Sequence, residues 1–236
     1  MKSICEATRA KWLALIGVLL SAGVGAQPVV VELFTSQGCS SCPPADLLLG
    51  ELARRPGVIA LAYHVDYFDD QGWKDRFSIP EAAQRQQGYV RRLAKSGRFT
   101  PQVVVSGDTS VVGSNRAAVE QAVAGDRDAL AVELLKEGNN LRIQFSEAWR
   151  ESMDVYLVTY LAEATAQVDG GENAQRTLQH YNVVRSFKKL GTWNGKPQRM
   201  TASLAGLPRE ASGVAVILQR KNQGAVTGAA KLALRQ

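Results

Sequence analysis

The chain has 236 residues, of which 45% are hydrophobic and 21% charged, with a formal net charge of +6. That composition excludes a disordered chain and leaves room for one large or two ordinary domains. No repeat, low-complexity tract or basic run is visible, so the charge reads as a solvated surface and argues against a nucleic-acid partner.

The first residues read as a targeting segment. Lys2, Arg9 and Lys11 make a basic start, and Trp12 to Leu20 is an apolar run too short to span a membrane comfortably. Small residues from Ser21 to Ala26 then offer a cleavage site after Ala26. This is the pattern of a secretory signal peptide over residues 1–26, the alternative being an uncleaved N-terminal anchor. Cleavage would remove three bases and one acid, leave a charge of +4, and discard Cys5. The expected location is exported, periplasmic or secreted, without stable membrane insertion after cleavage.

The mature chain then keeps two cysteines, Cys39 and Cys42. They follow an apolar run, Pro28 to Phe34, that reads as a buried strand, and precede Ala45 to Arg55, which reads as a helix ending at Pro56-Gly57. Backbone N–H groups at a helix start favour a thiolate, and a cysteine placed there can fall from a pKa of about 8.5 to roughly 3.5–7.5. Pro43 and Pro44 fit a first helical turn, whose N–H groups have no helical partner to lose. A disulfide closing two intervening residues constrains little of the unfolded chain. The Cys39–Cys42 pair is therefore suited to exchange more than to stapling. An inert disulfide or half of a metal site remain the alternatives.

Beyond the first helix, Val58 to Val65 reads as a second apolar strand, and two such strands joined by a helix suggest a parallel βαβ unit. Its end would lie beside the cysteine loop, bringing Asp66 to Trp73 near the pair. Ser78-Ile79-Pro80-Glu81 opens a helix expected to run to about Lys95. Thr100 to Val105 and Ser110 to Val112 form an expected hairpin, and Ser114 caps a last helix over Arg116 to Ala124. After a polar break at Gly125 to Asp128, alternating runs predict seven or so short strands. They cover Ala131 to Leu135, Leu141 to Phe145, Asp154 to Leu161, Thr177 to Val184, Arg199 to Leu204, Gly213 to Gln219 and Val226 to Leu232. Such a series suggests a β-sandwich.

The order β-α-β-α-β-β-α with Cys-x-x-Cys at the first strand–helix junction resembles the thioredoxin fold over residues 28–125. Val31 to Cys42 is similar to the opening of glutaredoxins. Thr100-Pro101 resembles the threonine/cis-proline step that faces the cysteines in that superfamily. Further patches extend the likeness over nearly all of the mature chain: His64-Val65-Asp66-Tyr67, Gly72-Trp73-Lys74-Asp75, Arg85-Gln86 with Tyr89, and Gly171-Glu172-Asn173. Together they resemble a family of exported bacterial thioredoxin-like proteins classed as a domain of unknown function. The expected fold is thus an α/β thioredoxin-like domain over 27–126 followed by an all-β, sandwich-like domain over 129–236.

The resemblance implies thiol–disulfide exchange, with Cys39 attacking and Cys42 resolving the mixed disulfide. It implies that Pro101, preceded by Thr100, keeps metal off the cysteines and presents backbone to a bound peptide; the alternative is a strand-start proline. Glu32 could relay the resolving cysteine's proton, or could be an exposed strand residue. His64 reads as a core histidine, the alternative being that it holds Asp66 or tunes Cys39. Tyr67, Phe68 and Trp73 either floor a substrate groove or pack an insertion onto the domain. His180 and Arg176 read as structural.

Three functions fit these residues. The first, adopted here, is an exported thiol–disulfide oxidoreductase acting on protein thiols and disulfides, with a separate redox partner and no cofactor. The second is copper or zinc handling through Cys39, Cys42 and His64, which nothing in the spacing demands. The third is a redox-inactive adaptor on the same scaffold.

Overall fold

The computed structural model describes residues 28–70 and 72–234. The expected signal segment, with Cys5, lies outside the described residues.

The first half runs β1 (Val29–Thr35), α1 (Pro43–Ala53), β2 (Val58–His64), α2 (Pro80–Arg92), β3 (Gln102–Val105), β4 (Thr109–Val112) and α3 (Arg116–Ala124). The second runs β5 (Glu133–Glu137), β6 (Asn140–Phe145), β7 (Met153–Val168), β8 (Arg176–Trp193), β9 (Gln198–Ser203), β10 (Gly213–Arg220) and β11 (Val226–Ala233). A single turn of 3-10 helix, Gly171–Asn173, sits at the tip between β7 and β8.

The element order of the first half follows the sequence, but the expected fold class does not form. The described residues are mostly β, with 43% strand against 17% helix. One mixed sheet of eight strands, in the order β11-β10-β7-β8-β2-β1-β3-β4, crosses the whole molecule. An α/β domain followed by a self-contained sandwich is therefore corrected to a continuous sheet shared by both halves.

The reason lies at the edge of β2. Its seven residues are all buried, and without a neighbour beyond β1 it would expose a row of unpaired N–H and C=O groups. β8 fills that edge in parallel at Ala62↔Val183, and the Asn182 side chain adds a hydrogen bond to Ala60 O at 2.9 Å. From β8 the sheet continues through β7, β10 and β11, antiparallel throughout.

The hydrophobic core is likewise shared. On one face, Val30, Phe34, Ile59, Leu61 and Tyr63 pack with Tyr89 of α2 and with Val158, Val184, Ala215, Ile217 and Val226 from the second half. On the other face, Val31 and Leu33 pack with Leu48, Leu49 and Leu52 of α1. Farther along, Val155, Val214, Val216 and Leu218 pack against Leu141, Ile143 and Phe145 of the small β5-β6-β9 sheet. β10 serves both layers, because alternate side chains of a strand point to opposite faces. Full burial of each such aliphatic side chain stabilises by roughly 1.5–3 kcal/mol.

Two of the strands run longer than the sequence indicated. β7 has 16 residues and β8 has 18. Their apolar runs stop at Leu161 and Val184, but the ladder continues through polar residues such as Thr165 of β7, opposite Gln179, and Lys188 of β8, opposite Leu157. Pairing with a neighbour, not apolar content, carries the strands on.

Candidate functional site

Cys39 and Cys42 are joined in a disulfide with Cα atoms 5.4 Å apart. Cys42 is the N-cap of α1, and Pro43 and Pro44 occupy its first turn, as their missing N–H groups allow. Cys42 N donates to Cys39 O at 3.2 Å, and Cys39 N to Ser36 O at 3.1 Å. Ser41 Oγ lies 3.4 Å from Cys39 Sγ. Both cysteines are buried, with Cys39 3% and Cys42 1% exposed.

The tip between β7 and β8 closes over the cysteine loop. Asn173 Nδ2 donates to both Gln37 O and Cys39 O at 2.9 Å, and Arg176 fixes the same amide at 2.7 Å through its oxygen. Ser40 N donates to Glu172 Oε2 at 3.0 Å, which holds the Glu172 carboxyl below its usual range. Gly170 lies so close to Gly72 that a Cβ there would stand 2.2 Å from the Gly72 carbonyl oxygen. The cysteine loop is thus positioned partly by residues 132 to 136 positions away in the chain.

Beneath the disulfide lies a buried polar network that the sequence reading did not assemble. His64 Nδ1 bonds Asp75 Oδ2 at 2.7 Å, and the same carboxylate accepts Gln37 N at 2.8 Å and Phe77 N at 2.8 Å. Burial alone would lower the His64 pKa, but the Asp75 charge and hydrogen bond outweigh it and raise it. Burial would raise the Asp75 pKa; His64 and the two backbone N–H groups hold it below normal. The His180 ring meets the His64 ring edge to face at 4.7 Å. Burial, reinforced by positive His64, pushes the His180 pKa down from 6.5 to about 3, so this imidazole is neutral.

Asp46 completes the group. It sits in the first turn of α1, four residues after Cys42, and is 3% exposed. Burial raises its carboxyl pKa from 3.8 to about 7, against the opposing pull of His64. His180 Nδ1 stands 3.9 Å from Asp46 Oδ2. Among the described residues, Asp46 Oδ1, His180 Nδ1, His64 Nε2 and Thr35 Oγ1 have no hydrogen-bond partner.

The anticipated site residues divide. The Thr100–Pro101 bond is cis, and the β1–β3 register, Phe34↔Gln102, brings Pro101 to the end of β1 beside Thr35. A Cβ on Gly113 would lie 3.2 Å from Pro101 and 3.1 Å from Ala45 of α1, so the proline is near the helix that carries the cysteines. Tyr67 donates its hydroxyl to Gln86 Oε1 at 3.1 Å, while Gln86 Nε2 donates to Phe99 O and to Gln102 Oε1. This ties Tyr67 to the segment that enters Pro101. Trp73 Nε1 donates to Gln37 Oε1 at 2.9 Å and so belongs to the network under the disulfide. His64 pairs with Asp75, not with Asp66.

Glu32 lies elsewhere. It is fully buried, not exposed, and belongs to the β1 face opposite α1. Arg85 donates to it through Nε at 2.5 Å and Nη2 at 2.9 Å, and the Tyr89 hydroxyl also donates to it. A buried carboxylate paired this fully is a structural anchor between β1 and α2.

Gln37, Asp46, Asp75 and Asn173 are the residues the sequence reading passed over as site groups. One signal was present for Asp46: a lone acid one helical turn after Cys42 in an otherwise apolar run, Leu47-Leu48-Leu49. His180 carried no such signal, because its partners are distant in sequence.

A metal fit is not supported, since no group of three or more His, Cys, Asp or Glu among the described residues is arranged to hold an ion. No helix of the described residues is long and apolar enough to cross a membrane.

No curated protein matches the chain. Among solved structures, it is similar to a protein from Agrobacterium tumefaciens at 30% identity, covering 88% of this chain and 95% of that one with a TM-score of 0.77. It is also similar in fold to HBP35 of Porphyromonas gingivalis, at 14% identity and a TM-score of 0.55, covering 90% of this chain and 76% of that one. A family model described as a protein of unknown function, DUF1223, matches residues 30–219, which contain the disulfide, the cis proline and the network beneath them. The chain belongs to the DUF1223 family.

Proposed function

We propose that this protein is an exported thiol–disulfide oxidoreductase acting on protein thiols and disulfides through Cys39 and Cys42. The observation that carries this reading is the disulfide at the start of α1, with a buried carboxyl, Asp46, one helical turn after Cys42 and the His180 imidazole beside that carboxyl. A stapling disulfide has no need of a titratable carboxyl one turn away, since exchange alone moves protons on and off sulfur. The cis proline near α1 and the first-half element order support a relation of this segment to the thioredoxin superfamily. Tyr67, tied through Gln86 to the segment that enters Pro101, suits one wall of a peptide groove.

A second reading draws on the burial of both cysteines: a disulfide held out of exchange beneath a binding surface. Equilibration with glutathione buffers, followed by alkylation and mass measurement, separates the two. Exchange with glutathione and with a reduced unfolded protein, both lost in Cys39→Ser, is the expected result. A bond that no thiol opens in the folded protein overturns the first reading in favour of the second.

A further inference from the structure

We propose that Asp46 is the proton acceptor for the Cys42 thiol, and that Trp73, Gln37 and His180 orient the network around it. The inference rests on the exchange reading of the disulfide and assigns roles to residues in both halves of the chain.

The geometry begins with the helix. Residues four apart on a helix lie on one face, a turn above each other, and both Cys42 and Asp46 are buried. Asp46 N donates to Cys42 O at 3.1 Å, so the turn joining them is closed. Its Oδ1 makes no hydrogen bond among the described residues; the Thr35 hydroxyl, itself without another partner, lies close enough to favour the ionised carboxylate and leaves that oxygen open to take a proton.

The other carboxyl oxygen faces His180, and a chain of hydrogen bonds decides how. An indole N–H can only donate, so the contact with Trp73 Nε1 identifies the Gln37 amide oxygen. Gln37 Nε2 is then the atom 3.5 Å from His180 Nε2. An amide nitrogen also only donates, so His180 Nε2 accepts and the ring proton sits on Nδ1. That N–H stands 3.9 Å from Asp46 Oδ2, where it favours the ionised carboxylate without fully pairing it. His64, held by Asp75, adds positive charge from β2, and Arg76 and Arg185 act on the two imidazoles from farther out.

The step balances as follows. In a mixed disulfide between Cys39 and a partner protein, the Cys42 thiol gives its proton to the Asp46 carboxylate. The Cys42 sulfur pair attacks Cys39 Sγ and forms the Cys39–Cys42 bond. The Cys39–partner bond breaks, and the partner sulfur leaves as a thiolate. In reverse, a partner thiolate attacks Cys39 Sγ, and Cys42 leaves and recovers the proton from the Asp46 carboxyl.

Two titrations test this, one on a variant and one on the unsubstituted protein. In Cys39→Ser, the thiolate absorbance of Cys42 is followed against pH, with and without Asp46→Asn. Two groups sharing one proton site titrate as a pair, so the neutral amide is expected to move the Cys42 transition down by about one pH unit or more. Coincident curves overturn the proposal. In the unsubstituted chain, the infrared stretch of the protonated Asp46 carboxyl is followed in the oxidised and reduced states. A thiolate beside the carboxyl raises its midpoint, so reduction is expected to shift the midpoint upward; equal midpoints overturn the proposal. Trp73→Phe keeps a ring but loses the donor that orients Gln37, and is expected to raise the same midpoint in the oxidised protein. An unchanged midpoint there removes Trp73, Gln37 and His180 from the assignment. Failure of the unsubstituted protein to exchange with glutathione would instead count against the oxidoreductase reading, and is read separately from these titrations.

Discussion

Two buried carboxylates lie on opposite faces of the same sheet and behave differently. Glu32 is held by two guanidinium contacts from Arg85 and by the Tyr89 hydroxyl, while Gln219 in turn bonds both Arg85 and Tyr89. Asp46 has a neutral imidazole at 3.9 Å and one oxygen without a partner among the described residues. Equal burial therefore gives an anchor in one place and a proton site in the other. The deciding quantity is how completely each carboxyl is hydrogen-bonded, because burying a charge is costly and Asp46, with so few partners, has its pKa raised by burial.

The strongest way to break this contrast is to remove the compensation from Glu32. Arg85→Ala leaves a buried carboxylate without its cation, and the expected loss is about 3–5 kcal/mol in denaturant unfolding. A loss under 1 kcal/mol would mean that Glu32 is not anchored as described.

The next test sharpens the other side. The Asp46 carboxyl holds its proton to about pH 7, whereas in the unfolded chain it releases it near 3.8. Between those values the folded state binds more protons, so this group's contribution is present at low pH and is lost as pH rises through about 7. Asp46→Asn carries no such dependence. Relative to the parent, the variant is expected to gain nothing below pH 4 and on the order of 4 kcal/mol above pH 7, at 1.36 kcal/mol per pKa unit. Paired urea titrations at pH 4 and 8 read the difference, and a gain independent of pH would contradict the assignment.

A smaller effect is expected where the two halves meet. Gly50 of α1 packs so closely on β8 that an added Cβ would stand 2.4 Å from the Tyr181 ring. Gly50→Ala gains helix propensity but overpacks this contact, for a net loss of about 1–3 kcal/mol. An unchanged or raised melting temperature would show that Tyr181 moves aside freely.

The smallest effect concerns the cover over Cys39. Glu172→Gln weakens the carboxylate contact to Ser40 N and removes an anion near the disulfide. Reduction by an anionic reagent such as tris(2-carboxyethyl)phosphine is expected to be a few-fold faster, with no change in fold by circular dichroism. An identical rate would mean that the tip residue plays no part in access.

Much of the first half was legible because its signals are local. The apolar runs of β1 and β2, the prolines opening α1 and α2, and the Thr100-Pro101 step each depend on neighbours within a few residues. Cys39 and Cys42 were recognisable as a pair at the head of α1 for the same reason. The exposed reading of Glu32 failed because alternation along β1 does not reveal that α2 brings Arg85 onto that face. The sandwich expected after residue 129 failed similarly: strand patterns predict strands, but not which edge they join.

By itself, then, the sequence determined the elements of the first half, the cysteine pair at the head of α1 and the strand-rich character of the second half. The tertiary structure alone decided that β8 completes the edge of β2, that Asn173 and Glu172 close over the cysteine loop, and that His180 faces Asp46. The physical reason is the same in each case. Backbone propensity and hydrophobic period act over a few residues, whereas edge pairing, desolvation and charge compensation depend on groups that only folding brings together.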